Sequence, residues 1–225
     1  PRSVARTGYW LLYLVLIAAV PLSIVFAVAL GQVDIPVSES MRILLYRITG
    51  IQLGDVRELT TGANYSIVWN IRFPRVLLGF LVGAGLSMCG TIMQASVQNP
   101  LADPYILGIS SGATLGASFF VMSGISSAGI LGHAGLALWA FLGAFGASMV
   151  VLMLADIGGR MSPVKLVLSG MVIHALCTAF TSFFLYFADS AEAVRAITFW
   201  SMGSLAAAKW DRIPLVAVVV FLAIL

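Results

Sequence analysis

From Pro104 to Ala155 the sequence carries no aspartate, glutamate, lysine or arginine. A bilayer core about 30 Å thick is crossed by roughly 20 apolar residues in a helix, so this stretch is too long for one crossing. The glycine- and serine-rich break at Ser123–Gly135 divides it into two spans, Tyr105–Met122 and Leu136–Ala155. Backbone amides in hydrocarbon must bond internally, which leaves helices or a closed barrel. No segment alternates with the barrel period, so helices are expected.

The remainder follows the same pattern. Apolar runs at Trp10–Leu30, Val76–Gln98 and Lys165–Ala188 each suffice for a span, and Ile213–Leu225 starts one that is too short as it stands. With 60% hydrophobic and 9% charged residues, a soluble domain is excluded. The expected fold is an all-α polytopic membrane protein, a single multi-helix transmembrane bundle over residues 1–225. Arg2, Arg6 and Ala27-Val28-Ala29 resemble a secretory signal. Signal cores run only about 7–15 residues, so 10–30 reads as a retained span. Residues 33–72 form the one long polar segment. Within it Ser38–Ile48 places Met41, Leu44, Leu45 and Ile48 on one side and Glu39, Arg42 and Arg47 on the other, as in a short helix lying on the membrane surface. Pro1 is not an initiator methionine and an apolar run breaks off at Leu225, so the chain reads as part of a longer protein.

The basic residues that give a net charge of +3 are scattered and form no patch, which argues against a nucleic-acid partner. Cys89 and Cys177 lie inside apolar runs and read as reduced packing residues. With the N-terminus inside, Arg2, Arg6, Arg160 and Lys165 are cytoplasmic. Arg42, Arg47, Arg57, Arg72, Arg75, Arg195, Lys209 and Arg212 are then external, so the positive-inside rule points the other way.

The spans are built for contact with protein. Gly79 and Gly83 are four apart, and Gly108, Gly112 and Gly116 repeat that spacing, which lets another helix approach to near backbone contact. Ser87, Thr91, Gln94 and Gln98 line one side of the second span, and His174, Thr178 and Thr181 form a similar row on the fifth. Amides near hydrocarbon need partners, from neighbouring helices or from a watery passage. Pro100 and Pro104 end the second helix near Asn99, which suits the freed backbone, while Asp103 suits the next helix start. This short, weakly charged turn fits inside an assembly, narrowing a conduit. Ionisable residues are almost absent from the spans, unlike in ion-coupled transporters. Gly108-Ile109-Ser110-Ser111-Gly112 satisfies G-x-S-x-G, and His174 lies on another span. That leaves an intramembrane serine protease as an alternative, although the motif signals a strand-to-helix elbow in soluble hydrolases. A non-transporting membrane scaffold is a third reading.

The stretch "IRFPRVLLGFLVGAGLSMCGTIMQASVQNPLADPYILGISSGATLGA" (Ile71–Ala117) closely resembles the signature of the FecCD-type permeases. These are the transmembrane subunits of type II ABC importers for iron-siderophores, haem or cobalamin. "KLVLSGMVIHALCTAFTSFFLY" and "FWSMGSLAAAKW" resemble later blocks of the family in the expected order. The resemblance implies a non-enzymatic subunit of the bacterial or archaeal cytoplasmic membrane, with about six of an expected ten spans present and a cytoplasmic N-terminus. Its implied partners are a second permease subunit, two cytoplasmic ATPase subunits that hydrolyse ATP, and an external substrate-binding protein. Cargo would pass along the dimer interface by alternating access, with no cofactor and no bound metal. Arg72 and Arg75 match arginines that dock the binding protein. Asn99, Leu101, Ser162, Pro163 and Val164 match the cytoplasmic gate, where Pro163 and Val164 depart from the family's small hydroxyl residues. Ser87, Thr91, Gln94, Gln98, His174 and Thr178 are expected to line the translocation path. Trp200, Met202, Gly203 and Ser204 match the external entrance, and Trp200 and Trp210 equally suit interfacial anchors.

Overall fold

The computed structural model describes residues 2–55, 60–100, 102–124, 131–159, 162–188 and 190–225. Among them every regular element is helical: α1 (Arg2–Ala29), α2 (Val37–Thr49), α3 (Ala63–Val97), a 3₁₀ turn (Pro104–Leu107), α4 (Ile109–Met122), α5 (Leu131–Asp156), α6 (Pro163–Tyr186), α7 (Ala191–Met202) and α8 (Ile213–Ile224). α1, α3, α5 and α6 are long and apolar enough to cross a membrane. The chain forms two compact units, Pro1–Gly85 with Leu205–Leu225, and Leu86–Ser204.

In the first unit, α3 is longer than its apolar run. It begins at Ala63 and runs 35 residues, about 50 Å at 1.5 Å per residue, well beyond a bilayer core. Ser66–Arg72 winds as a π-helix, and Phe73 N–H bonds the Val68 carbonyl five residues back. Pro74 explains the local widening. It has no N–H and its ring crowds the carbonyl four residues back, so a helix that runs through it must loosen the preceding turn.

α2 forms as expected but buries another stripe. Ser40, Ile43 and Leu44 are inside, Ile43 and Leu44 packed with Val28, Ile35, Val68 and Phe73, while Met41 and Ile48 are exposed. Spacings of three and four select either stripe, and the protein surface offered by α1 and α3 selects 40/43/44. The helix therefore rests on protein along this face. Gly50, at φ +76°, ends α2 by returning its N–H to the Tyr46 carbonyl.

In the second unit, glycine sets the packing. A Cβ on Gly112 would lie 2.5 Å from Ala147 Cβ and 2.6 Å from the Gly143 carbonyl oxygen. On Gly116 it would overlap the Trp139 carbonyl, and on Gly143 the Gly112 carbonyl. α4 and α5 thus cross at backbone contact, the small-residue geometry of membrane helices. Gly79 meets only Leu205 at 3.4 Å, and Gly83 has nothing within 4 Å. The spacing repeated in α4 marks a tight crossing, whereas the same spacing in α3 does not.

The helix expected over Tyr105–Met122 is divided, with the turn Pro104–Leu107 preceding Gly108 at φ +65°. α4 proper has 14 residues, about 21 Å, and buries Ser111, Gly116, Ser118 and Phe120. Met93, Val97, Val151, Leu166, Ile173 and Cys177 belong to one core. Both cysteines are free thiols; Cys177 is buried as expected, but Cys89 is exposed and does not pack. α7 was not anticipated from the sequence. Its signals are ordinary: Ser190 Oγ accepts from Ala193 N–H at 3.1 Å, Glu192 sits in the first turn, and Ile197 is buried.

Candidate functional site

At the head of α3, Arg72 and Arg75 do different things. Arg72 is half-buried. Its Nη1 donates to the carbonyls of Val28 (3.1 Å) and Ala29 (2.7 Å), and its Nη2 donates to the Val33 carbonyl. Arg75 is exposed and, among the described residues, donates once, to the Ala206 carbonyl at 3.3 Å. Both border a cavity of about 540 Å³ whose walls include Leu30, Gly31, Val33 and Ile71.

Close by is an aromatic cluster that the sequence reading missed. Trp69 stacks on Trp210 at 4.7 Å and on Phe73 at 5.3 Å, and the Arg47 guanidinium lies 5.1 Å from the Trp69 ring. Trp210 Nε1 donates to the Trp69 carbonyl at 2.9 Å. That carbonyl is available for a local reason. Its π-helical donor would be residue 74, a proline, and Phe73 N–H is committed to Val68. Trp210 is therefore a packing and hydrogen-bonding residue within this unit.

In the second unit, α3 stops at Val97 and Gln98 takes a left-handed backbone, φ +52°. Asn99 N–H bonds the Gln94 carbonyl at 3.2 Å, and the Asn99 carbonyl accepts from Ala102 N–H at 3.0 Å. Asp103 Oδ1 accepts from Tyr105 N–H at 2.8 Å, capping the next turn. Leu101, expected at the gate, lies outside the described residues. Ser162 caps α6, its Oγ accepting from Lys165 N–H at 3.3 Å, with Pro163 as the first helical residue. Lys165 Nζ reaches back to the Ile157 carbonyl at 3.0 Å. Val164 is 67% exposed. A cavity of about 450 Å³ brings Ser162 and Pro163 beside Met93, Ser96, Leu107 and Leu152. The end of α3 and the start of α6, far apart in sequence, thus border one space. Replacing Ser162 with alanine removes the cap and should lower the unfolding free energy by about 1 kcal/mol, measured by SDS titration of the purified protein.

Ser87, Thr91 and Gln94 are exposed along α3, and His174 and Thr178 along α6. Gln98 leaves the first row, because it lies past the helix end with left-handed backbone. Thr91 Oγ1 donates to the Ser87 carbonyl (3.0 Å) and Thr178 Oγ1 to the His174 carbonyl (2.8 Å). These hydroxyls satisfy their donors within their own helices. They need no neighbour for that and present weak acceptors outward. Gly203, at φ +72°, ends α7 with its N–H on the Trp200 carbonyl at 3.1 Å. Met202 and Ser204 are exposed there, and Trp200 is half-buried. Ser110 and His174 are both exposed, and no hydrogen bond joins them among the described residues.

The FecCD transport family matches residues 16–225. The hemin transport system permease protein HmuU of Yersinia pestis is 39% identical over 68% of this chain and 46% of its own length. The molybdate import system permease protein MolB of Haemophilus influenzae is 28% identical over 95% of this chain and 58% of its own length. A solved metal-chelate type ABC transporter in an inward-facing conformation superposes with a TM-score of 0.70 at 26% identity, covering 92% of this chain and 57% of that one. The chain spans little more than half the length of the relatives it matches along nearly its whole extent. On a family match that extends unbroken from the first membrane helix to the last residue, the chain belongs to the FecCD transport family.

Proposed function

We propose that the chain is part of the transmembrane permease subunit of an ATP-driven importer of the cytoplasmic membrane. Its cargo class is iron-siderophore, haem or a cobalamin-like chelate, carried by alternating access along a dimer interface. The observation that carries this reading is the family match over residues 16–225, supported by relatives named for hemin and vitamin B12 import. The partners are a second permease subunit, two ATPase subunits and an external binding protein; ATP is hydrolysed on the ATPase subunits. Residues 33–72 and the head of α3 face outward. Arg72 and Arg75 belong to the docking surface, and Trp200, Met202, Gly203 and Ser204 to the entrance. Ser87, Thr91, Gln94, His174 and Thr178 border the path, with Gln98 at its inner end. Asn99, Leu101, Ser162, Pro163 and Val164 form the inner gate. The scarcity of ionisable residues within the apolar runs suits a bulky, transient passenger.

The full transporter in proteoliposomes should take up an iron-siderophore only when both ATP and its binding protein are supplied. Uptake driven by an ion gradient alone would overturn the reading. For the gate, Asn99→Cys on a Cys89→Ser background should crosslink two permease copies in at least one nucleotide state. Cys89 is removed because it is exposed. Failure to crosslink in every nucleotide state would remove Asn99 from the gate.

A further inference from the structure

We infer that the two arginines divide the work: Arg75 carries the docking charge, and Arg72 is a positioning residue that pins the turn after α1 beside it. The inference rests on the docking role proposed above.

α1 has no basic residue in its last turn. Its final carbonyls lack intrahelical donors and carry the negative end of the helix dipole. Arg72 supplies the missing cation from α3, with three donors spent on Val28, Ala29 and Val33. A guanidinium has five N–H groups, and carboxylate capture works best through two parallel ones on a free edge. Gly31 lies against the other side of the group. A Cβ there would come 2.6 Å from Nη2, 2.7 Å from Cζ and 2.9 Å from Nε. Carbonyls of α1 and of the turn after it take three of the five donors, and Gly31 lies against the flat face of the group.

Arg75 is the contrast. It sits one turn further along the same helix, is exposed, and among the described residues makes one long bond, to the Ala206 carbonyl. The turn held by Arg72 forms a wall of the cavity that Arg75 also borders. Holding that wall keeps an open side on Arg75 for an acidic group on the partner.

The test measures affinity of the full transporter in nanodiscs for its own binding protein across a salt series, with thermal stability alongside. Arg75→Gln should weaken binding about threefold to tenfold at low salt and flatten the salt dependence. Arg72→Gln removes the same formal charge but keeps amide donors for the carbonyls. It should leave the salt slope as in the parent and lower the melting temperature. Arg72→Lys should recover most of that stability. Gly31→Ala changes no charge; it should lower the melting temperature and weaken binding with the slope unchanged. An equal flattening by Arg72→Gln and Arg75→Gln would overturn the division of roles while leaving docking at this edge intact. No change in affinity or slope with either would overturn the docking role itself.

Discussion

Leucine at Gly116 should leave no folded permease. A single added methyl there already overlaps the Trp139 carbonyl, which belongs to the backbone of α5 and cannot rotate aside. Alanine at Gly116 or Gly143 should cost about 1–3 kcal/mol, the range for overpacking a tight contact, and leucine more. Gly146, one turn from Gly143 on the same helix, has nothing within 4 Å. Alanine there should be neutral, or should stabilise by up to about 1 kcal/mol through helix propensity. SDS titration of the purified alanine variants measures these three costs, and the leucine variant should yield no folded protein to titrate. Equal costs at Gly143 and Gly146 would show that the crossing of α4 and α5 is looser than described.

The second large effect concerns Trp210. Trp210→Ala removes the ring contacts with Trp69 and Phe73 and should destabilise by about 3–5 kcal/mol. Trp210→Phe keeps a ring but leaves the Trp69 carbonyl without its donor, costing about 1–3 kcal/mol. The proline makes this carbonyl special, so the two positions should be coupled. In a Pro74→Ala background residue 74 regains an N–H that can serve the carbonyl, and the cost of Trp210→Phe should fall by at least half. The same SDS titration on the four corners of this cycle measures the coupling. An identical cost in both backgrounds would break the link between the proline and the indole.

The fold was legible where a local rule and burial agree. The charge-free run from Pro104 to Ala155 was legible as two apolar helices, and Asn99-Pro100 together with Pro104 as the break between α3 and α4, because missing amide donors act whatever surrounds them. The glycine triad at 108, 112 and 116 was legible as close packing, but its partners lie in the same chain: α5 against Gly112 and Gly116, and α6 against Gly108. The glycines that approach α5 are therefore taken up inside the subunit and do not join two copies. The polar row on α3 was read one residue too far, since left-handed backbone at a non-glycine, Gln98, depends on tertiary context. α2 was legible as a helix but not in the face it buries. α7 carries a cap, an early acid and an apolar stripe, but over 12 residues these signals are weak beside the long apolar runs. The clamp on α1 was invisible in one dimension. Arg72 and Gly31 are far apart in sequence, and neither residue type announces the other.

That clamp bears on how the chain is made. The carbonyl of Ala29 is capped by a side chain 43 residues downstream. As the ribosome releases the first helix, its trailing end stays unfinished until the segment carrying Arg72 has emerged and folded back. The earliest hairpin that can settle in the bilayer with a sealed rim is therefore the pair α1 and α3, with α2 held between them. The folding of that polar stretch is thereby tied to the arrival of α3.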